Sequence, residues 1–324
     1  SMPKGSEVIV PPKTYVATAS SIANVHLTPI FADIDLNSQN INVETIKKSY
    51  TNRTKAVLCV HLGGYPCELD KIKSFCKRKK IYLIEDCSQA HGAFYKKKSV
   101  GSFGDISTWS FCQDKILTTG GEGGMISTNN KKLRNKIWSL KDHGKSFKIF
   151  SKKTNKNGFK WMHNSFGTNA RLTEMQSALG RYQLNKLDKW VKKRRFNANY
   201  LNNIFKKYPK QFTIIKIPKD FYHAMYRYYV FINFSGLKKE WNKNKILDFF
   251  IKNKIQCSEG SCSEVYLEKC FSTNSLYREI NFQNARILSK TSLAFSVHPT
   301  ITKKDLNHTA KTIKRLISFA SKNV

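Results

Sequence analysis

The sequence predicts an α/β fold, a mostly parallel central sheet flanked by helices, followed by a smaller α+β unit. Three observations carry this. Short apolar runs rich in β-branched residues alternate with segments of helical spacing as far as Lys141, and repeated strand–helix–strand units give right-handed crossovers and a sheet covered on both faces. A stretch without periodicity, Lys145 to Gly167, then breaks the rhythm. Beyond Tyr208 the strands are fewer and mixed with helices, so residues 1–208 read as a large domain and residues 209–324 as a small C-terminal one.

The elements follow in order. Glu7 to Val10 reads as a strand, Thr14 to Val25 as a helix, Pro29 to Asp33 as a strand and Val43 to Tyr50 as a helix. Lys55 to His61 is a buried-strand run. Glu68 to Lys80 sets Leu69, Ile72, Phe75 and Cys76 at helical spacing, and Ile81 to Ile84 is a strand running into Glu85 and Asp86. Strands are expected at Ile106 to Phe111 and Gly124 to Thr128, with a helix from Asn130 to Lys141. Lys145 to Gly167 reads as a long loop, a feature that is often functional. Leu172 to Tyr208 is helical, with Met175, Leu179, Tyr182, Leu184, Leu187 and Val191 as its apolar stripe. Strands at Phe212 to Ile217 and Arg227 to Phe234, a helix near Lys243 to Lys254 and a closing helix from Lys303 to Ser321 complete the chain.

Composition bounds the function. A chain of 324 residues with 40% hydrophobic and 12% aromatic residues folds, and its length suits about two domains. Its 57 Lys and Arg against 22 Asp and Glu give +35, a field that attracts anions. The lysines are spread over nearly every segment, whereas nucleic-acid modules concentrate charge and interleave aromatics, so no specific nucleic-acid partner is expected. No uncharged run approaches the roughly 18 apolar residues of a membrane span, and Ser1 to Pro12 lacks a signal peptide's apolar core. A cytoplasmic protein without membrane partners is the expectation. Its 8 cysteines form no CxxC pair and no zinc spacing, which suggests reduced thiols and no metal site.

Two segments carry chemistry. Asp86 follows an apolar strand, and in open parallel sheets ligands bind beyond the carboxyl ends of the strands, although an acid there can equally cap a helix. Lys115 follows another expected strand and precedes Gly120, Gly121, Gly123 and Gly124, which permit close backbone approach. Flanked by Phe111, Ile116 and Leu117, its partly desolvated amine suits a Schiff-base nucleophile. No GxxxxGK[ST] or strand–GxGxxG–helix pattern points to a nucleoside triphosphate or a dinucleotide. His91 and His143 read as cleft residues, and Cys262 and His298 as structural ones.

The segments Glu85-Asp86-Cys87-Ser88-Gln89-Ala90-His91-Gly92-Ala93 and Ser110-Phe111-Cys112-Gln113-Asp114-Lys115 through Gly124 resemble the DegT/DnrJ/EryC1/StrS family of nucleotide-sugar aminotransferases. Glu7 to Pro11, Tyr15 to Ala19, His61 to Pro66, Asp142-His143-Gly144 and Phe166 to Gln176 are similar to further family segments in the same order. The resemblance implies the aspartate-aminotransferase architecture (PLP-transferase fold type I), with residues 1–208 as the domain that binds pyridoxal 5′-phosphate. It makes Lys115 the Schiff-base lysine and proton shuttle, Asp86 the partner of the pyridine nitrogen, Gln89 that of the ring hydroxyl, and Ser110 a phosphate ligand. Tyr15 would stack on the cofactor. Asn169 would reach the phosphate site of a partner subunit, which implies a homodimer with shared active sites.

The implied reaction moves an amino group from glutamate to a nucleotide-linked keto-deoxysugar, with a 4-keto group favoured over a 3-keto group. A sugar dehydratase of the family would carry histidine where Lys115 stands. Relative to the family pattern the chain starts late, lacking a phosphate-cradling segment before Glu7, and Ser1-Met2 looks like a tag remnant before a start codon. The alternative expectation is therefore a catalytically impaired member acting as a binding or scaffold protein. Ala170 stands where an aromatic residue is usual. Gly260 to Lys269 resembles the C-terminal domain of one subgroup without indicating a sugar.

Overall fold

The main sheet has 6 strands. In the computed structural model, which describes residues 2–151, 161–278 and 280–322, β1 (Glu7–Val10), β2 (Thr28–Phe31), β3 (Thr54–Val60), β4 (Tyr82–Asp86) and the strand Ile106–Ser110 run parallel. Their spatial order is β2, β1, β3, β4, Ile106–Ser110, and Gly124–Ser127 closes the edge antiparallel. β1 is buried along its whole length, which is why Val8, Ile9 and Val10 follow one another without polar alternation. Val8, Val10, Ala56 and Leu58 pack on one face while Ile9, Val57 and Cys59 pack on the other.

Parallel neighbours need crossovers. α1 (Val16–Ala23), α2 (Val43–Ser49) and α3 (Leu69–Lys79) supply three of them. α2 starts in a reciprocal cap, Asn42 accepting from Thr45 N while the Thr45 hydroxyl serves the Asn42 amide. α3 buries Leu69, Ile72, Phe75 and Cys76 and ends at Lys80, whose φ of 55° turns the chain out of the helix, with Lys77, Arg78 and Lys79 against the helix's negative end. Because the five strands share one direction, Val10, Val60, Asp86 and Ser110 all finish on the same edge of the sheet. The chemistry belongs there.

A second, 4-stranded antiparallel sheet runs Cys257–Ser258, Ser292–Phe295, Tyr228–Ile232, Phe212–Ile214. Phe205, Phe250, Phe295, Ile313 and Leu316 form its core with the helices Leu187–Phe205, Lys243–Lys252 and Lys303–Ala320. The helix Leu187–Phe205 serves both layers, giving Val191 to the first core and Ala198, Leu201 and Phe205 to the second. C-terminal residues also return to the first sheet, where Tyr266, Phe271 and Tyr277 meet the Phe31 ring edge-on at 5.9, 5.6 and 5.7 Å.

Two regions differ from the sequence expectation. The helix expected from Leu172 to Tyr208 is two helices, Glu174–Leu184 and Leu187–Phe205, the first opened by a Thr173–Gln176 capping box. Most of its apolar stripe is not core: Met175, Tyr182 and Leu184 are 83%, 60% and 57% exposed, and Leu187 and Val191 alone of that stripe join the packed interior. Helical periodicity identifies an apolar face but not what covers it. Within the expected loop Lys145 to Gly167, a short helix Phe147–Phe150 packs on Trp138, with ring separations of 5.1 and 5.2 Å; the part of that loop at 152–160 lies outside the described residues. Among the described residues no helix is long and apolar enough to cross a membrane.

Two buried histidines make the fold acid-sensitive. Burial, aided by Arg195, pushes His223 down to about 3, and burial with the Lys115 charge pushes His91 down to about 4. The His223 ring accepts from Met225 N at 2.9 Å, as a neutral imidazole does. Below the ordinary histidine value near 6.5 the unfolded chain takes up protons that the fold refuses, so stability falls as pH drops from that value towards about 4 for His91 and about 3 for His223. At pH 5 the expected cost is about 2 kcal/mol per histidine. Urea unfolding at pH 7 and pH 5 checks this: a His91→Phe/His223→Phe variant should lose less stability on acidification than the parent, and equal losses would contradict the assignment.

Candidate active site

Asp86 ends β4 with its carboxylate at the carboxyl edge of the sheet. The Thr18 hydroxyl donates to Oδ2 at 3.0 Å and the Ser88 amide to Oδ1 at 3.0 Å. Thr18 lies in the first turn of α1, where its hydroxyl also meets that of Thr14 at 2.9 Å. This ties the turn bearing Tyr15 to the acid. Tyr15, the residue just before α1, is 70% exposed, so its aromatic ring is left open to a ligand.

Gln89 is fixed through its side-chain oxygen, which accepts from Gly63 N at 2.7 Å, leaving Nε2 to point at Ser261 Oγ 3.4 Å away. The backbone can come this close because of Gly64: its φ is 94°, and an added Cβ would sit 3.0 Å from the Gln89 carbonyl oxygen. Ser110 ends the next parallel strand, its hydroxyl accepting from Cys112 N at 3.3 Å.

The loop beyond Ser110 carries Lys115 and is held from below. Ile116 and Leu117 are buried, Lys115 N donates to Cys112 O at 3.0 Å, and Thr118 N donates to the Gln183 side chain at 3.1 Å. The Lys115 side chain is 17% exposed, in keeping with the partial desolvation expected from its apolar neighbours. Its Nζ lies 3.1 Å from Asp114 Oδ1 and 5.3 Å from the centre of the Tyr226 ring. The other Asp114 oxygen accepts a short hydrogen bond from the Tyr226 hydroxyl. His91 packs between Trp109 and Phe111, at 5.4 and 5.8 Å, and stays uncharged at neutral pH.

Direct contacts and strand order thus place Tyr15, Asp86, Gln89 and Ser110 along one edge, with Lys115 on the loop that leaves this edge at Ser110. Asn169 stands apart. It bridges to Asp142 at the end of the helix Lys131–Lys141 and accepts from Arg171 Nε at 2.9 Å, on an exposed stretch that includes the fully exposed Phe166. Sequence reasoning missed Thr18, Ser261 and Tyr226. Tyr226 gives no local signal, since its partner Asp114 lies in the other half of the chain.

The profile of the DegT/DnrJ/EryC1/StrS aminotransferase family matches residues 1–314. The chain belongs to this family. It is a sugar aminotransferase of PLP fold type I that depends on pyridoxal 5′-phosphate. An aminotransferase from Psychrobacter cryohalolentis superimposes with a TM-score of 0.96 at 42% identity, over 98% of this chain and 82% of that one. A GDP-perosamine synthase of Escherichia coli O157:H7 is 32% identical over 90% of this chain and 76% of its own length. A dTDP-3-amino-3,6-dideoxy-alpha-D-galactopyranose transaminase of Aneurinibacillus thermoaerophilus is 39% identical over 62% of this chain and 52% of its own.

Proposed function

We propose that the chain transfers the amino group of glutamate to the 4-keto carbon of a nucleotide-linked deoxysugar, in the cytoplasm, as a homodimer. The observation that carries the reading is the placement of an acid and a lysine: Asp86 ends one parallel strand and Lys115 lies on the loop that leaves the end of the adjacent one at Ser110, on the edge where such sheets bind ligands. The residues fit the cofactor. Asp86 accepts two hydrogen bonds where an ionised carboxylate has about four acceptor positions, so capacity remains for a ring N–H. When bound, pyridoxal phosphate supplies an electron sink for negative charge at the substrate carbon.

The chain's own residues divide the remaining work. Asp86 holds a proton on the ring nitrogen, Tyr15 covers a ring face, Gln89 serves the ring hydroxyl and Ser110 the phosphate. Lys115 anchors the cofactor and, once released, moves a proton to and from the substrate carbon. Asn169 serves the partner's phosphate site. Phe166, Met175, Tyr182 and Leu184, on the stretch before Asn169 and the helix after it, are all more than half exposed, and a second copy of the chain is the partner that gives such apolar side chains a use. The free thiols suit a reducing compartment.

Loading the protein with pyridoxal phosphate and glutamate and offering 4-keto and 3-keto sugars linked to GDP, dTDP and UDP tests the reading by mass spectrometry of the products. An amino sugar from a 4-keto substrate is expected. Product from 3-keto substrates alone would move the reaction to the neighbouring carbon, and no product at all, with no visible absorbance on loading, would overturn the proposal.

A further inference from the structure

We propose that Asp114 is a further catalytic residue: its carboxylate, steadied by Tyr226, is the seat that receives the Lys115 ammonium whenever that amine is not bonded to the cofactor. This rests on the reading of Lys115 as the cofactor-bearing lysine. The two carboxylate oxygens are divided between two partners, Oδ1 facing Lys115 Nζ at 3.1 Å and Oδ2 taking the Tyr226 hydroxyl. Tyr226 is itself fixed. It is buried, its amide donates to Gly63 O at 2.9 Å, and its carbonyl accepts from Arg194 Nη1 at 3.3 Å. Its ring also lies under the Lys115 amine, so one side chain supports both the acid and the ammonium.

Charge favours the seat. Partial burial works against the Asp114 carboxylate, but the hydrogen bonds from Tyr226 and Lys115 and the Lys115 charge outweigh it and hold the carboxyl below its ordinary value. Other ionisable groups around the trio include Cys112 beside Asp114, Arg227 over the Tyr226 ring at 5.0 Å, buried Arg194 and neutral His91; Glu122 accepts from Cys112, and Lys254, His298, Asp305 and His308 line the same cavity as Asp114 and Lys115. Of the acids among the described residues, Asp114 is the one in ion-pair contact with the amine. A free amine that has taken the proton from the amino donor's α-carbon would be held there as the ammonium. Giving that proton up to the carbon that accepts it would leave the neutral amine, the form able to bond the cofactor again. Asp114 stays a carboxylate throughout and transfers no proton.

The test compares Asp114→Asn, Tyr226→Phe and Asp114→Glu with the parent chain in two arms. In cofactor-free protein, acetylation of Lys115 at pH 8 is followed by peptide mass spectrometry against exposed Lys4. Without the carboxylate the amine is no longer held by a charge-assisted hydrogen bond and meets the reagent more readily, so Asp114→Asn should react roughly threefold to tenfold faster at Lys115, Tyr226→Phe by less, and Asp114→Glu close to the parent. In the loaded protein the pH midpoint of the visible absorbance should fall in Asp114→Asn, with kcat reduced and the KM for glutamate within about twofold. Parental reactivity and an unmoved midpoint in both Asp114→Asn and Tyr226→Phe would overturn the seat. A parent that never develops visible absorbance would instead remove the cofactor reading of Lys115, while the acetylation arm still decides whether Asp114 holds the amine.

Discussion

Lys115→Ala is expected to lower turnover by at least about a thousandfold and to abolish the visible absorbance of the loaded protein, while leaving its unfolding midpoint almost unchanged. The large effect follows from the amine's two duties, bonding the cofactor and carrying the proton, neither of which alanine performs. The small effect follows from the surroundings. The loop is anchored by buried Ile116 and Leu117 rather than by Lys115, and the Asp114 partner is 44% exposed, so the ion pair contributes little to folding. The chain holds a second lysine that could be mistaken for a reactive one: Lys13, fully buried, donates to Ser263 and Ser292 at 2.5 and 3.1 Å, and burial lowers it to about 7. Its amine is fully buried against Ser263 and Ser292 and so out of reach of a ligand. Absorbance that survives Lys115→Ala at full strength but vanishes in Lys13→Met would transfer the role and refute the assignment.

The parallel sheet was legible because strands buried on both faces must be apolar throughout, as Ala56 to Val60 are, and because helices such as α3 show their buried face at regular spacing. Asp86 was legible for a related reason: the apolar run stops at Ile84, so the acids after it lie towards the carboxyl end of the strand, although Glu85 is still inside it and buried. What stayed hidden depends on contacts between distant segments. Nothing near Asp114 announces that Tyr226 will reach its carboxylate, nor near Gln89 that Gly63 will orient its amide. The stripe from Met175 to Leu184 misled because the pattern of a core-facing helix and that of a helix awaiting another surface are the same. Likewise the segment boundary at residue 208 says nothing of the helix Leu187–Phe205 feeding two cores.

Glu85→Ala should destabilise the fold by about 3–5 kcal/mol, the largest loss expected from one truncation beside the site. Glu85 is fully buried within β4, one residue before the candidate catalytic acid. Its carboxylate accepts from the amides of Gly101, Phe103 and Gly104 at 2.7, 2.8 and 2.6 Å and from His61 Nε2 at 3.2 Å. Burial opposes its charge, but His61 and these amides outweigh burial and keep the carboxyl below its ordinary value. The His61 ring is committed on both sides, because its Nδ1 accepts from Cys67 N at 3.1 Å. Alanine would therefore strand three backbone donors and one imidazole N–H in a dry interior, each costing about 1–3 kcal/mol if left unpaired, although relaxation and water entry reduce the sum. The 101–104 turn that Glu85 holds leads into the strand Ile106–Ser110, so the same change should loosen the run to Ser110 and weaken cofactor retention along with stability. Urea unfolding with and without pyridoxal phosphate measures both. A loss below about 1 kcal/mol would mean that the turn keeps its amides paired without Glu85, and that the neighbouring Asp86 owes its position to Thr18 and Ser88 alone.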